Sequence, residues 1–249
     1  MKAGNLVSIV EQSKPLPRDT PKQRAAKHRV SSEAQKRLNN KTLKGRCAFL
    51  CAANFIPRQD LFVTLTYKEE CSPANRADAK KQVKSFFRKL RDIRKKRGFC
   101  LKYIAVIEGK HGYKHIHHHM IINATEFDKD LEDIKSLWEP CGHVDVRILF
   151  DKKHRDSTWF SVARYLTKER PEDGQDITPV GARAYTCSKN LVHPKPSYRI
   201  IDDSERAKLP KGAELIDGLP QGDVQTIVDG IPVILRYLTY QLPENYAPS

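Results

Sequence analysis

Residues 115–119 read His-Ile-His-His-His and run directly into Met120-Ile121-Ile122. In a β-strand successive side chains alternate between faces, so His115, His117 and His119 project together while Ile116, His118 and Met120 project the other way. Imidazoles gathered on one sheet face are ligands for a borderline divalent metal, and a neighbouring carboxylate hardens the site toward Mn²⁺ or Mg²⁺. Glu108 can supply that carboxylate. It ends the apolar run 101–108 (LKYIAVIE), which a short loop containing Gly109, His111 and Gly112 joins to the histidine run, a hairpin signal. A His-rich tail binds metal adventitiously, but this tract is internal, set in an apolar strand beside an acidic strand end. A structural zinc site is the other metal reading.

A second motif is Tyr165-Leu166-Thr167-Lys168, the only Tyr-x-x-Lys in the chain. At a separation of three residues on a helix, phenol and ammonium share a face about a turn apart. A tyrosine is a poor nucleophile at its ordinary pKa of about 10, and a nearby cation favours the phenolate.

The elements that would position these groups follow from periodicity. Residues 31–54 read as a helix behind Ser31-Ser32-Glu33, and Leu61–Tyr67 (LFVTLTY) as a buried strand. The spacing of Ala79, Val83, Phe86, Phe87, Leu90 and Ile93 predicts a helix over 76–97, whose remaining surface holds eleven Lys/Arg against Asp78 and Asp92. A short helix over 128–138 and a strand over 144–150 come next, and Ser157–Glu169 forms a helix behind a Ser/Thr cap. These elements specify an α+β domain, a central antiparallel β-sheet with helices packed on it. Pro and Gly break up the chain after Arg170, and a last hairpin is expected around Asp229-Gly230. The expected organisation is a flexible basic arm over 1–30, one domain over 31–196 and a C-terminal extension over 197–249.

Composition sets the class of partner. The chain has 249 residues with 45 Lys+Arg against 30 Asp+Glu, a formal net charge of +15, which fits an anionic partner. No apolar stretch approaches the ~20 residues of a membrane span, and the N-terminus lacks a signal-peptide layout, so a cytoplasmic location and no membrane association are expected. The six cysteines contain no CxxC pair and read as reduced thiols. No P-loop or dinucleotide fingerprint is present, which excludes a nucleotide-driven motor.

In order along the chain, LFVTLTY (61–67), YIAVIEGKHGYKHIHHHMIIN (103–123), SLWEPCGHVDVR (136–147), ARYLTKE (163–169) and RAYTCSKNLVHPKP (183–196) resemble the HUH endonucleases. The resemblance is closest to the single-tyrosine rolling-circle replication initiators of bacterial plasmids and phages. It implies an HUH endonuclease or RRM-like fold, with Glu108, His117 and His119 holding one Mn²⁺ or Mg²⁺. A register in which His115 and His117 form the pair also stands, since Gly112 lies three residues before His115. The apolar run after His119 favours the later pair.

The resemblance further implies transfer of an origin phosphodiester to Tyr165, giving a 5′-phosphotyrosyl strand and a free 3′-OH, with Lys168 orienting the phosphate or favouring the phenolate. The substrate would be single-stranded origin DNA extruded as a hairpin, with host polymerase and helicase as partners. Cations of the arm, the 76–97 helix, Lys114, Lys189 and Lys195 would bind phosphates. Tyr67, Tyr113 and Tyr185 are available for base stacking, and Tyr185 is also a candidate for a second cleavage. A mobilisation relaxase, a single-tyrosine transposase and a non-catalytic DNA-binding regulator are the alternatives on the same motifs.

Overall fold

The computed structural model describes residues 1–13, 33–109, 115–151, 158–167, 184–202, 205–216, 221–228 and 231–243. In chain order the elements are β1 (Lys2–Ala3), β2 (Leu6–Gln12), α1 (Glu33–Ala52), β3 (Leu61–Thr66), α2 (Arg76–Lys96), β4 (Tyr103–Glu108) and β5 (His117–Ile122). They continue with α3 (Phe127–Trp138), β6 (Val144–Ile148), α4 (Trp159–Leu166), β7 (Thr186–Cys187), β8 (Glu214–Leu215), β9 (Gly222–Val228) and β10 (Ile231–Gln241). The chain divides into two units, Met1–Ala53 with His193–Ser249, and Asn54–Val192.

The central unit is built on an antiparallel sheet of order β6-β3-β5-β4-β7. Its first six elements run β-α-β-β-α-β, and β5 lies between β3 and β4, the split arrangement of a ferredoxin-like or RRM-like sheet. The α+β expectation therefore holds.

Strand alternation decides which face is core. On β3, Leu61, Val63 and Leu65 are buried on one side, joined by Ala105 of β4 and by Met120 and Ile122 of β5. Against them pack Val83, Phe86, Phe87 and Leu90 of α2 and Ile134 and Trp138 of α3. Each large apolar side chain buried there contributes about 2 kcal/mol relative to exposure. Helix α2 starts where Asn75 accepts from the backbone N–H groups of Ala77 and Asp78.

Two further features hold the helices to the sheet. Arg94 of α2 and Asp130 of α3, both fully buried, pair at 2.9 Å, and Arg94 also donates to Asn123 O at 2.7 Å and Asn123 Oδ1 at 3.0 Å. At the turn from α3 to β6, a Cβ on Gly142 would lie 1.7 Å from Thr66 O, so only glycine permits that approach. The Trp138 indole N–H donates to the same carbonyl at 2.8 Å.

The terminal unit corrects the reading of residues 1–30 as an arm. β2 pairs along its length with β10, from Leu6↔Gln241 to Gln12↔Leu235, and β1 pairs back onto β2. The apolar residues Leu6, Val7, Ile9 and Val10 precede a long polar stretch, and averaging over thirty residues hides a seven-residue strand. Val7, Tyr240 and Leu242 form a small core there. Residues 14–32 lie outside the described ones. Helix α1 groups with this unit, so the division falls at 53/54 and 192/193, whereas the sequence suggested 30/31 and 196/197. β9 and β10 pair as a hairpin with Val228 opposite Ile231, as expected, and the Asp229-Gly230 turn itself lies outside the described residues. All six cysteines are unbridged. No helix among the described residues is long and apolar enough to cross a membrane.

Candidate active site

The sheet face opposite α2 and α3 carries the polar chemistry. The register sets Glu108 opposite His117 across the β4–β5 ladder, and Thr64 and Thr66 opposite His119 and His117 across β3–β5. Partners in register share a face, so Glu108, His117, His119, Thr64 and Thr66 all project to one side. One Glu108 carboxylate oxygen lies 3.3 Å from His117 Nε2 and 3.0 Å from His119 Nε2. Ligand atoms of the three residues all fall within 4.8 Å of one another, a group that could hold a metal ion. His115 is exposed and is not part of it.

Hydrogen bonds on the far ring nitrogens orient both imidazoles. His117 Nδ1 lies 3.0 Å from the His115 carbonyl oxygen. A carbonyl only accepts, so Nδ1 carries the proton and the neutral ring presents the lone pair of Nε2 toward Glu108. His119 Nδ1 lies 3.0 Å from Thr64 Oγ1, which fixes that ring in the same sense when the hydroxyl accepts. Two imidazole nitrogens and one carboxylate suit a divalent ion that keeps coordination positions open for substrate oxygens.

Tyr165 comes from α4 onto this same face. Its hydroxyl lies 3.2 Å from His119 Nε2, and its ring packs edge-on against Phe62 at 5.6 Å and against His119 at 4.7 Å. At 38% exposure it can meet a ligand from solvent. Thr158 caps α4, accepting from Ser161 N while the Ser161 hydroxyl returns toward the Thr158 backbone, so the helix start is fixed two turns before the tyrosine.

His118 has the opposite fate. It is fully buried against Trp138 and Tyr67, with Nε2 at 2.6 Å from the Tyr67 hydroxyl. Burial, with the nearby His117, His119 and Arg76, pushes its pKa down to about 3, so it stays neutral. Burial likewise raises the Tyr67 phenol.

Of the other residues singled out in the sequence, Lys168, Lys114 and Tyr113 lie outside the described ones. Tyr185 and Lys189 flank the edge strand β7, beside the strand that carries Glu108, and Lys189 is exposed. Tyr67 is no stacking platform, because it belongs to the core beneath the sheet. The basic helix α2 lies on the sheet face away from Glu108, His117 and His119. Sequence reasoning missed Thr64, Phe62 and Arg76. Arg76 donates to the carbonyls of Ile107 at 2.7 Å and Gly109 at 3.2 Å, bracketing Glu108 at the end of β4.

Residues 60–170 match the family model of the replication-associated protein ORF2. The match supports a replication-initiator family. Its span runs from the start of β3 past Tyr165 and so contains every residue of the site just described. Such a role in replication implies interaction with DNA. No curated protein and no solved structure matches the chain.

Proposed function

We propose that the protein initiates rolling-circle replication by metal-dependent nicking and strand transfer of single-stranded origin DNA. The observation that carries this reading is the Tyr165 hydroxyl 3.2 Å from His119 Nε2, on the face that gathers Glu108, His117 and His119. The match to a replication-associated family favours an initiator over a relaxase or transposase.

Glu108, His117 and His119 would hold Mn²⁺ or Mg²⁺, and such an ion supplies Lewis acidity and orientation for a phosphate. Tyr165 Oη would attack the scissile phosphorus in line. The new bond joins Oη to phosphorus as the bond from phosphorus to the 3′ oxygen breaks. The phenol proton passes to solvent, and the 3′ oxygen leaves as a hydroxyl that a polymerase can extend. The phosphodiester energy is kept in the 5′-phosphotyrosine, so the strand can be rejoined. Phe62 and the capped α4 hold the tyrosine ring, and Thr64 holds His119. Lys168 would orient the phosphate or favour the phenolate, and Lys114, Tyr185 and Lys189 would contact the strand.

The test is to incubate the protein with Mn²⁺ and single-stranded origin DNA and resolve products under denaturing conditions. A covalent protein–DNA adduct is expected for the wild type and none for Tyr165→Phe. Equal adduct from both would remove Tyr165 as nucleophile, and no adduct from either would favour a non-catalytic DNA-binding role.

A further inference from the structure

Helix α2 presents a row of cations that the site does not use. Lys81, Lys84, Arg88, Arg91 and Lys95 are all exposed and follow one another at alternating steps of three and four residues. On an α-helix that spacing makes a straight stripe, about 21 Å long at 1.5 Å per residue. Lys80, Lys89 and Lys96 flank it, and the exposed acidic residue within this stretch is Asp92. Lys81 has a local partner in Asp78 at 3.1 Å.

This arrangement has a cost for the helix in isolation. Like charges three and four residues apart repel, each pair by a few tenths of a kcal/mol. The apolar stripe of Val83, Phe86, Phe87 and Leu90 already docks the helix on the sheet, so the opposite face is under no packing demand to be cationic. The neighbouring helix α3 shows the contrast, with Asp128, Glu132 and Asp133 set against Lys129 and Lys135. Basic charge is therefore concentrated on one of two helices that share the same layer.

We propose that α2 is a second nucleic-acid surface, one that grips the phosphate backbone of duplex DNA while the opposite sheet face works on a single strand. Duplex is favoured over single strand by the make-up of the face. Its exposed positions, all described, carry no aromatic ring on which unstacked bases could sit, and a single-strand site combines cations with such platforms. A straight convex ridge of cations fits a stiff rod that carries one charge per ~1.7 Å. Origin DNA that is single-stranded at the cleavage point continues into duplex, so both surfaces would act on one molecule. The choice of DNA as the polyanion rests on the proposed function; the existence of the surface does not.

The experiment compares wild type with a K84Q/R88Q/K95Q variant, which leaves Lys81 with Asp78 and keeps Arg91. Affinity for a random-sequence duplex is measured by fluorescence anisotropy across a salt series, in parallel with Tyr165 adduct formation on a single-stranded oligonucleotide. Loss of three phosphate contacts should reduce the slope of log affinity against log salt by about 2.7 and weaken duplex binding at least tenfold, with adduct yield unchanged. A control variant, K68Q/K129Q/K135Q, removes the same charge and should leave the duplex slope as in the wild type. The proposal is overturned if the α2 variant keeps the wild-type slope, or if the control lowers it equally, which would mean that net charge alone is at work. Should the wild type form no adduct, the nicking mechanism fails while the duplex measurement still decides this proposal.

Discussion

His118 and His119 are adjacent in the chain, yet one is sealed beneath the sheet and the other faces Glu108 and Tyr165. Strand alternation separates them, and their substitutions should separate as well. His119→Ala removes a ligand nitrogen on the open face; Mn²⁺ affinity by calorimetry should fall at least tenfold, with the thermal midpoint nearly unchanged. His118→Ala leaves a cavity beside Trp138 and an unpaired Tyr67 hydroxyl, so it should cost about 2–4 kcal/mol in denaturant unfolding. Metal affinity of the folded fraction should persist. If the two phenotypes were exchanged, the strand register would be off by one. Thr64 extends the argument to a positioning residue. Thr64→Val keeps the shape and loses the oxygen that meets His119 Nδ1, so metal affinity should fall 10–100-fold without loss of fold, and Thr64→Ser should restore it. A Thr64→Val protein with wild-type Mn²⁺ affinity would show that the hydroxyl does not orient the ring.

The hairpin pair Glu108 and His117 was legible in the sequence, because both lie within one local β-β unit and alternation gives their face. Thr64 was not. Its parity within LFVTLTY could be read, but the pairing of β3 with β5 joins residues 55 apart, as in Thr64 with His119, and no local pattern reports it. Tyr67 shows an available signal left unused, since it has the same parity as Leu61, Val63 and Leu65 and so belongs with the core. Its aromatic character alone suggested a base platform. The element that fixes where β3 ends is the turn at Gly142, whose missing side chain lets His143 O accept from Thr66 N at 3.0 Å. Gly142→Ala would drive a Cβ into the Thr66 carbonyl. Displacement of that turn should cost at least about 2 kcal/mol and lower adduct formation, since Thr66 lies opposite His117. Wild-type stability in this variant would mean that the turn relaxes without moving β3.

At the scale of the molecule, the charge that pointed to an anionic partner is distributed over elements with different duties, and the chain termini do not behave as tails. The N-terminal strand was invisible to a composition argument because its apolar alternation lasts only from Leu6 to Val10 and its partner, β10, lies at the other end of the chain. The terminal unit has a core of its own in Val7, Tyr240 and Leu242, while all four side chains of the candidate site belong to the central unit. The two should therefore respond separately to damage. Val7→Asp places a carboxylate against Tyr240 and should destabilise the terminal sheet by on the order of 3 kcal/mol, because a buried charge there has no partner supplied for it. Native-state hydrogen exchange should show the β10 amides losing protection while those of β3 and β5 keep theirs, and the calorimetric Mn²⁺ affinity should stay within twofold of wild type. If β3 and β5 lost protection in step with β10 and metal affinity fell with them, the chain would be a single cooperative unit and the site would depend on the terminal sheet for its geometry.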